Sequence, residues 1–447
     1  MTVTRIINAK NAQKRWYSLV LSDGHITSVE LQTGPVAPSP GVKRLEAATD
    51  VHRGPDQTWD AGGDLLIPAG VDIHIHSRDP GLTHKEDWTS VARGGARGGV
   101  AAVVDMPNTI PATMTRETVL AKAERAQRSG IGFRLFLGVG RSNVNQLATL
   151  LTDPSLPLAG VKVYYGQSTG DLMFADLQAL DQVLPRGGGK LLVFHSEDQC
   201  CIDDNTKVVD VAGLGQSNVD YAIHSKLRDS RSAWTATQAI LDWAIKSRRS
   251  IHIAHVSTPR EVEMIADARI KGAHVTCEVA PHHLLLSTDD YPRLGPFLKV
   301  NPPVRSPEEV AALRLLVKQG CVDAFATDHA PHTRNEKLQP YARCPSGMPS
   351  LEWFYPLIFR ISDDIGLARE RAVNMASTRP AELVGLSDYG ALEPGRPFQA
   401  TLIREGNNTI SEHDVVSKCG WTPYDGLVVP VKVLATWHGG TLMGTQK

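Results

Sequence analysis

Along residues 65–81, Leu-Leu-Ile-Pro-Ala-Gly-Val-Asp-Ile-His-Ile-His-Ser-Arg-Asp-Pro-Gly, an apolar run gives way to strict alternation. Read as a strand, it turns Val71, Ile73 and Ile75 to one side and Asp72, His74 and His76 to the other, with Arg78 in the same phase. Counting Leu66–Asp72 as the first, short apolar runs recur at Val100–Asp105, Gly132–Leu137, Val161–Tyr164, Leu191–His195, Ile251–His255, His274–Glu278 and Val322–Ala326. Continuous apolar runs separated by helical patterns mark parallel strands covered on both faces. Two of the helices are announced by capping boxes with proline at the first helical position, Thr258-Pro-Arg-Glu261 and Ser306-Pro-Glu-Glu309, and by stops at Gly272 and Gly320. Eight strands alternating with helices over about 300 residues predict an α/β fold of the (β/α)8 type, a TIM-like barrel. An open doubly wound sheet competes, but it would usually carry a glycine-rich phosphate turn after the first strand, and none is present.

The flanks read differently. Alternating runs from Trp16 and from His25 surround a turn at Asp23-Gly24, and residues 34–41 form a proline-rich loop. Strand-like pieces return at Ala400–Ile403, Leu427–Val433 and Lys432–Trp437. The expected organisation is a small β-sandwich built from residues 1–63 and 386–447, beside a barrel spanning 64–385.

Composition narrows the function classes. With 447 residues and a net charge of −1, the chain advertises no basic face for nucleic acid. No apolar run reaches the roughly 18–20 residues of a membrane span, and the N-terminus lacks the layout of a signal peptide. The six cysteines include no C-x-x-C pair, which argues against a disulfide framework or zinc ribbon and fits a reducing cytoplasm.

In such a barrel, catalytic groups belong at the C-terminal ends of the strands. There stand His74 and His76, Lys162, His195, His255 and Asp328. His252 rivals His255, which is preferred because it stands at the strand end, next to the Ser257-Thr258 helix cap. Imidazoles and a carboxylate on one rim suit zinc or a similar divalent ion. A lysine in such company has its pKa lowered by burial and neighbouring cations, so its neutral amine can add carbon dioxide and become a carbamate with two ligand oxygens.

This set resembles the amidohydrolase superfamily. Within it, Asp72-Ile-His-Ile-His-Ser-Arg-Asp-Pro-Gly81, Met106-Pro-Asn-Thr109, His252-Ile-Ala-His-Val-Ser-Thr258, Pro281-His-His-Leu284, Lys299-Val-Asn-Pro-Pro-Val-Arg305 and Asp328-His-Ala-Pro-His332 resemble the dihydroorotases. The resemblance implies two divalent metals, zinc first among them. His74, His76 and Asp328 would hold one, His195 and His255 the other, and Lys162, as its carbamate, would bridge them together with a hydroxide. It further implies that Arg78 and Asn108 grip a substrate carboxylate, that Asn301 and His332 complete the pocket, and that Asp328 is the general acid/base. The implied reaction is the reversible hydrolysis of the ring amide of dihydroorotate to N-carbamoyl-aspartate, a step of pyrimidine biosynthesis.

Lys162 favours the bridged form, since some dihydroorotases carry Asp there. The usual Ala-Asp-Leu of the tail reads Ala400-Thr-Leu402, and the loop 333–349 varies across the family. Alternatives are a hydantoinase, dihydropyrimidinase or allantoinase, or a non-catalytic scaffold of the same fold. A homodimer and a transcarbamoylase partner are further expectations from the resemblance.

Overall fold

The computed structural model describes residues 3–45, 50–51, 56–167, 172–184, 190–208 and 220–443. Eight parallel strands follow one another in sequence order: Gly70–Ile75, Val100–Asp105, Gly132–Gly138, Leu158–Tyr164, Leu191–His195, Ile251–Ile253, Val275–Val279 and Ala324–Phe325. Each pairs with the next, and the helices between them bury the outer apolar residues, among them Val71, Ile73 and Ile75. The helices Pro259–Ile270 and Pro307–Gln319 start at Thr258 and Ser306 with both halves of the capping box formed. No described helix is long and apolar enough to cross a membrane.

The barrel closes at its mouth. Ile75 bridges His329, the His76 amide donates to the His329 carbonyl at 2.8 Å, and Asp72 accepts from the Thr327 amide at 3.0 Å and from its hydroxyl. Asp72 therefore stitches the first strand to the last and stands below the ligand set rather than in it.

The expected strand Leu66–Asp72 is in fact two. Leu65–Pro68 pairs antiparallel with Ala400–Ile403 in a second sheet, and the barrel strand begins at Gly70. The switch is made at consecutive residues: the Ala69 amide donates to Gln399 at 3.0 Å and the Gly70 amide to Gly99 at 2.8 Å. Pro68 has no amide hydrogen to continue a ladder. At Gly70 a β-carbon would lie 2.7 Å from the Phe354 ring, so only glycine passes the crossing without displacing it.

Among the described residues the second sheet has nine strands, drawn from both ends of the chain. Asp23 (φ 48°) and Gly24 (φ 80°) form the tight turn between Trp16–Ser22 and His25–Leu31. The two overlapping C-terminal candidates are one strand, Val428–His438, paired with Ala400–Thr409. Ile26, at one end of the strand order, and Trp437, near the other, share one apolar core, so the sheet folds over itself in the manner of a sandwich.

Candidate active site

The strand ends bring His74, His76, Lys162, His195, His255 and Asp328 to one narrow pocket, which Arg78, Tyr164, Asn301, Ser346 and Gly347 also line. Three of the lining residues, Arg78 (φ 61°), His255 (φ 34°) and Asp328 (φ 48°), have left-handed backbones. That conformation costs a non-glycine residue on the order of 1 kcal/mol or more. It turns the chain sharply just beyond a strand end and aims the side chain back over the mouth.

The ligand atoms fall into two groups. His74 Nε2 and His76 Nε2 lie 3.4 and 3.1 Å from Asp328 Oδ1, and one ligand atom from each of the three residues falls within 4.8 Å of the others. This trio could hold a metal ion. His195 Nδ1 and His255 Nε2 face each other at 3.1 Å, close to the roughly 3.3 Å between two imidazole nitrogens on one tetrahedral zinc. The rings of His74 and His255 are 5.0 Å apart, so the groups adjoin. The Lys162 ammonium is buried among them and has no hydrogen-bond partner among the described residues. Burial pulls its pKa down to about 8, against the pull of Glu278 and Asp328. An amine so placed is isolated, and imidazoles with a carboxylate around it are a donor set that suits a divalent cation.

The other nitrogens of three rings are held from behind. His74 Nδ1 is bonded to Glu278, His76 Nδ1 to Asn108 Oδ1 at 2.6 Å, and His195 Nε2 to Glu197 Oε2 at 2.9 Å. Such bonds fix the tautomer and leave the pocket-facing nitrogen as a lone pair. Burial, then the charge of Lys162, holds His74 well below the usual imidazole range; burial, then His195 and Lys162, does the same for His255. Both are therefore neutral, the form that binds metal.

His252 does not enter the pocket. It bonds Thr276 at 2.8 Å and Glu278 at 3.1 Å. Glu278 thus joins His252 to His74, and its position at a strand's C-terminal end was its signal in the sequence. Glu197 follows His195 by two residues, in the same phase, and is held by Arg228 at 2.6 Å. Arg228 left no such signal. Glu278→Gln is expected to weaken metal binding or activity by about 10- to 100-fold, read by metal titration beside turnover.

On the substrate side, Arg78 is 1% exposed and faces no carboxylate within ion-pair distance among the described residues. Its Nε donates to the Pro331 carbonyl at 3.0 Å, while Nη1 has no partner. Burial lowers its pKa to about 10, so it remains a cation. Asn301 Oδ1 accepts from His224 at 2.9 Å, which leaves its Nδ2 hydrogens uncommitted. Asn108 and His332 stand one side chain back: Asn108 touches His76, and His332 lies 3.1 Å from Arg78 Nη2.

Residues 228–443 match the Amidohydrolase family, a span holding His255 and Asp328 but not the earlier ligand candidates. The chain is 33% identical over 434 residues to a dihydroorotase of Halobacterium salinarum, covering 95% of this chain and 96% of that one. It is 33% identical to a dihydroorotase of Methanosarcina mazei, covering 83% and 82%. Among solved structures it is similar to an L-hydantoinase (dihydropyrimidinase) from Arthrobacter aurescens, with a TM-score of 0.87, 25% identity and 99% and 96% coverage. A dihydropyrimidinase from Brevibacillus agri, at 20% identity and a TM-score of 0.83, shares the fold, covering 99% of this chain and 95% of that one. The fold is thus common to several cyclic amidases, and the sequence relationship separates them: this chain belongs to the dihydroorotase family of the amidohydrolases.

Proposed function

We propose that the chain catalyses the reversible hydrolysis of dihydroorotate to N-carbamoyl-aspartate. The observation that carries this reading is Arg78: a buried guanidinium at the pocket wall, with Nη1 unpartnered and no carboxylate within ion-pair distance among the described residues. A buried cation with no carboxylate in direct contact is costly, and a substrate carboxylate reduces that cost when it binds. Dihydroorotate carries such a carboxylate beside its ring amide, whereas hydantoin does not.

In this reading His74, His76 and Asp328 would hold one divalent cation and His195 and His255 a second, zinc in both, with Lys162, as its carbamate, a further ligand. Bound there, the cations supply Lewis acidity for the amide carbonyl and make water a nucleophile at neutral pH. The protein's own groups do the rest. Arg78 offers its two terminal nitrogens to the carboxylate as a planar fork, and Asn301 adds an amide donor. Asn108 orients His76, and the Pro331 carbonyl, next to His332, holds Arg78 Nε. An Asp328 carboxylate oxygen takes a proton from the attacking water and delivers it to the ring nitrogen as the C–N bond breaks. In the opposite direction the same carboxylate receives the nitrogen's proton as the ring closes. The six unpaired cysteines support a reducing, cytoplasmic setting for this chemistry.

The test is turnover of dihydroorotate, hydantoin, dihydrouracil and allantoin by the purified protein, with metal content measured in the same preparation. Dihydroorotate should be preferred by at least about 100-fold in kcat/KM, the scale set by leaving a buried charge unpaired. Chelation should abolish turnover and zinc restore it. A preference for hydantoin or allantoin would overturn the assignment.

A further inference from the structure

The strands Ala400–Thr409 and Val428–His438 pair with each other, yet residues 410–427 separate them. Hairpin connections are usually 2–5 residues, and long ones tend to carry function. This one leaves its own sheet and crosses to the barrel mouth. Glu412 pairs with Arg334, the Val416 amide donates to Glu352 at 2.7 Å, Ser417 to Glu86, and Lys418 to the Thr83 carbonyl at 3.0 Å. Trp421 is buried edge-on against Phe297, their rings 4.8 Å apart, in an apolar cluster with Val300, which lines the pocket.

At the centre of this strap, Trp421 Nε1 donates to the His332 carbonyl at 2.7 Å. The preceding carbonyl, Pro331, accepts from Arg78 Nε. The His332 ring lies against three groups at 3.1 Å: Lys85 Nζ at Nδ1, and the Ser346 carbonyl and Arg78 Nη2 at Nε2. An ammonium only donates, so Nδ1 accepts and the ring hydrogen sits on Nε2, donated to Ser346. That leaves Arg78 Nη2 no acceptor in the ring, so its hydrogens stay free. Arg78 is then held to the protein mainly through the 331–332 backbone, and Trp421 is the only side-chain donor to the His332 carbonyl among the described residues.

We propose that Trp421 is a positioning residue for the carboxylate subsite, acting through the 331–332 backbone on Arg78. This rests on the reading of the pocket as a dihydroorotate site. The experiment is steady-state kinetics of the metal-loaded full chain and its Trp421→Phe variant, which keeps an aromatic ring and loses the N–H. KM for dihydroorotate should rise about five-fold, the scale of one buried hydrogen bond, with kcat changed less than two-fold, and the melting midpoint should fall by a few degrees for the smaller ring. An unchanged KM, or a fall in kcat with a drop in melting point and no KM effect, overturns the proposal. Should the variant not accumulate, Lys418→Met loosens an exposed anchor of the same strap; about a two-fold rise in KM is expected, and none would overturn the proposal. If the unsubstituted protein does not turn over dihydroorotate, the reading of the pocket fails first, and this inference falls with it.

Discussion

Asp328→Asn is expected to reduce kcat for dihydroorotate by about 10³-fold or more, toward the upper end of what a positioned acid/base group contributes. Asparagine keeps the shape of the side chain but cannot take the proton of the attacking water. It also offers a poorer ligand beside His74 and His76, whose pocket-facing nitrogens lie 3.4 and 3.1 Å from the present carboxylate. Elemental analysis divides the two effects. A protein that keeps its metal and loses turnover has lost proton transfer; one that loses metal has lost the ligand. A kcat within ten-fold of the parent would remove Asp328 from the mechanism.

Arg78→Ala is expected to lower kcat/KM for dihydroorotate by about 10²- to 10³-fold, the scale of breaking a buried charged contact, with metal retained. Arg78 makes no hydrogen bond or ion pair with the candidate metal trio among the described residues; it bonds the Pro331 carbonyl and lies 3.1 Å from His332. Lys is not an adequate replacement, because a point charge cannot reproduce the two-pronged match to a carboxylate. Substrates without the carboxylate should be little affected. That contrast, measured side by side, distinguishes a carboxylate-reading site from that of a hydantoin-opening relative on the same scaffold. Equal losses for both substrate types would mean that Arg78 shapes the pocket and does not read the substrate.

The repeating barrel was legible because the strands are short apolar runs and two helix starts, at Thr258 and Ser306, carry their own capping chemistry. The crossing at Ala69 was not. Leu66–Asp72 reads as one strand, and its division between two sheets depends on residues elsewhere in the chain, Gln399 and Gly99, with which it pairs. The candidate ligands were visible because His, Lys and Asp are conspicuous at apolar strand ends. The groups behind them were harder. Glu278 and Glu197 sit in the right phase but look like ordinary acids until His74 and His195 are seen against them. The tail strap was invisible, because an indole N–H meeting a carbonyl from a segment 89 positions away leaves no local pattern.

The seam between the first and last barrel strands has a consequence for how the protein comes into being. Asp72 and Thr327 are 255 residues apart, and the ligand candidates on either side of that seam, His76 and Asp328, are 252 apart. A ribosome must therefore release at least 252 residues beyond His76 before the two halves of the His74–His76–Asp328 trio can meet. Nascent chains ending before Asp328 lack the carboxylate of the trio, so activity should arrive abruptly once that residue is in place and not grow with chain length.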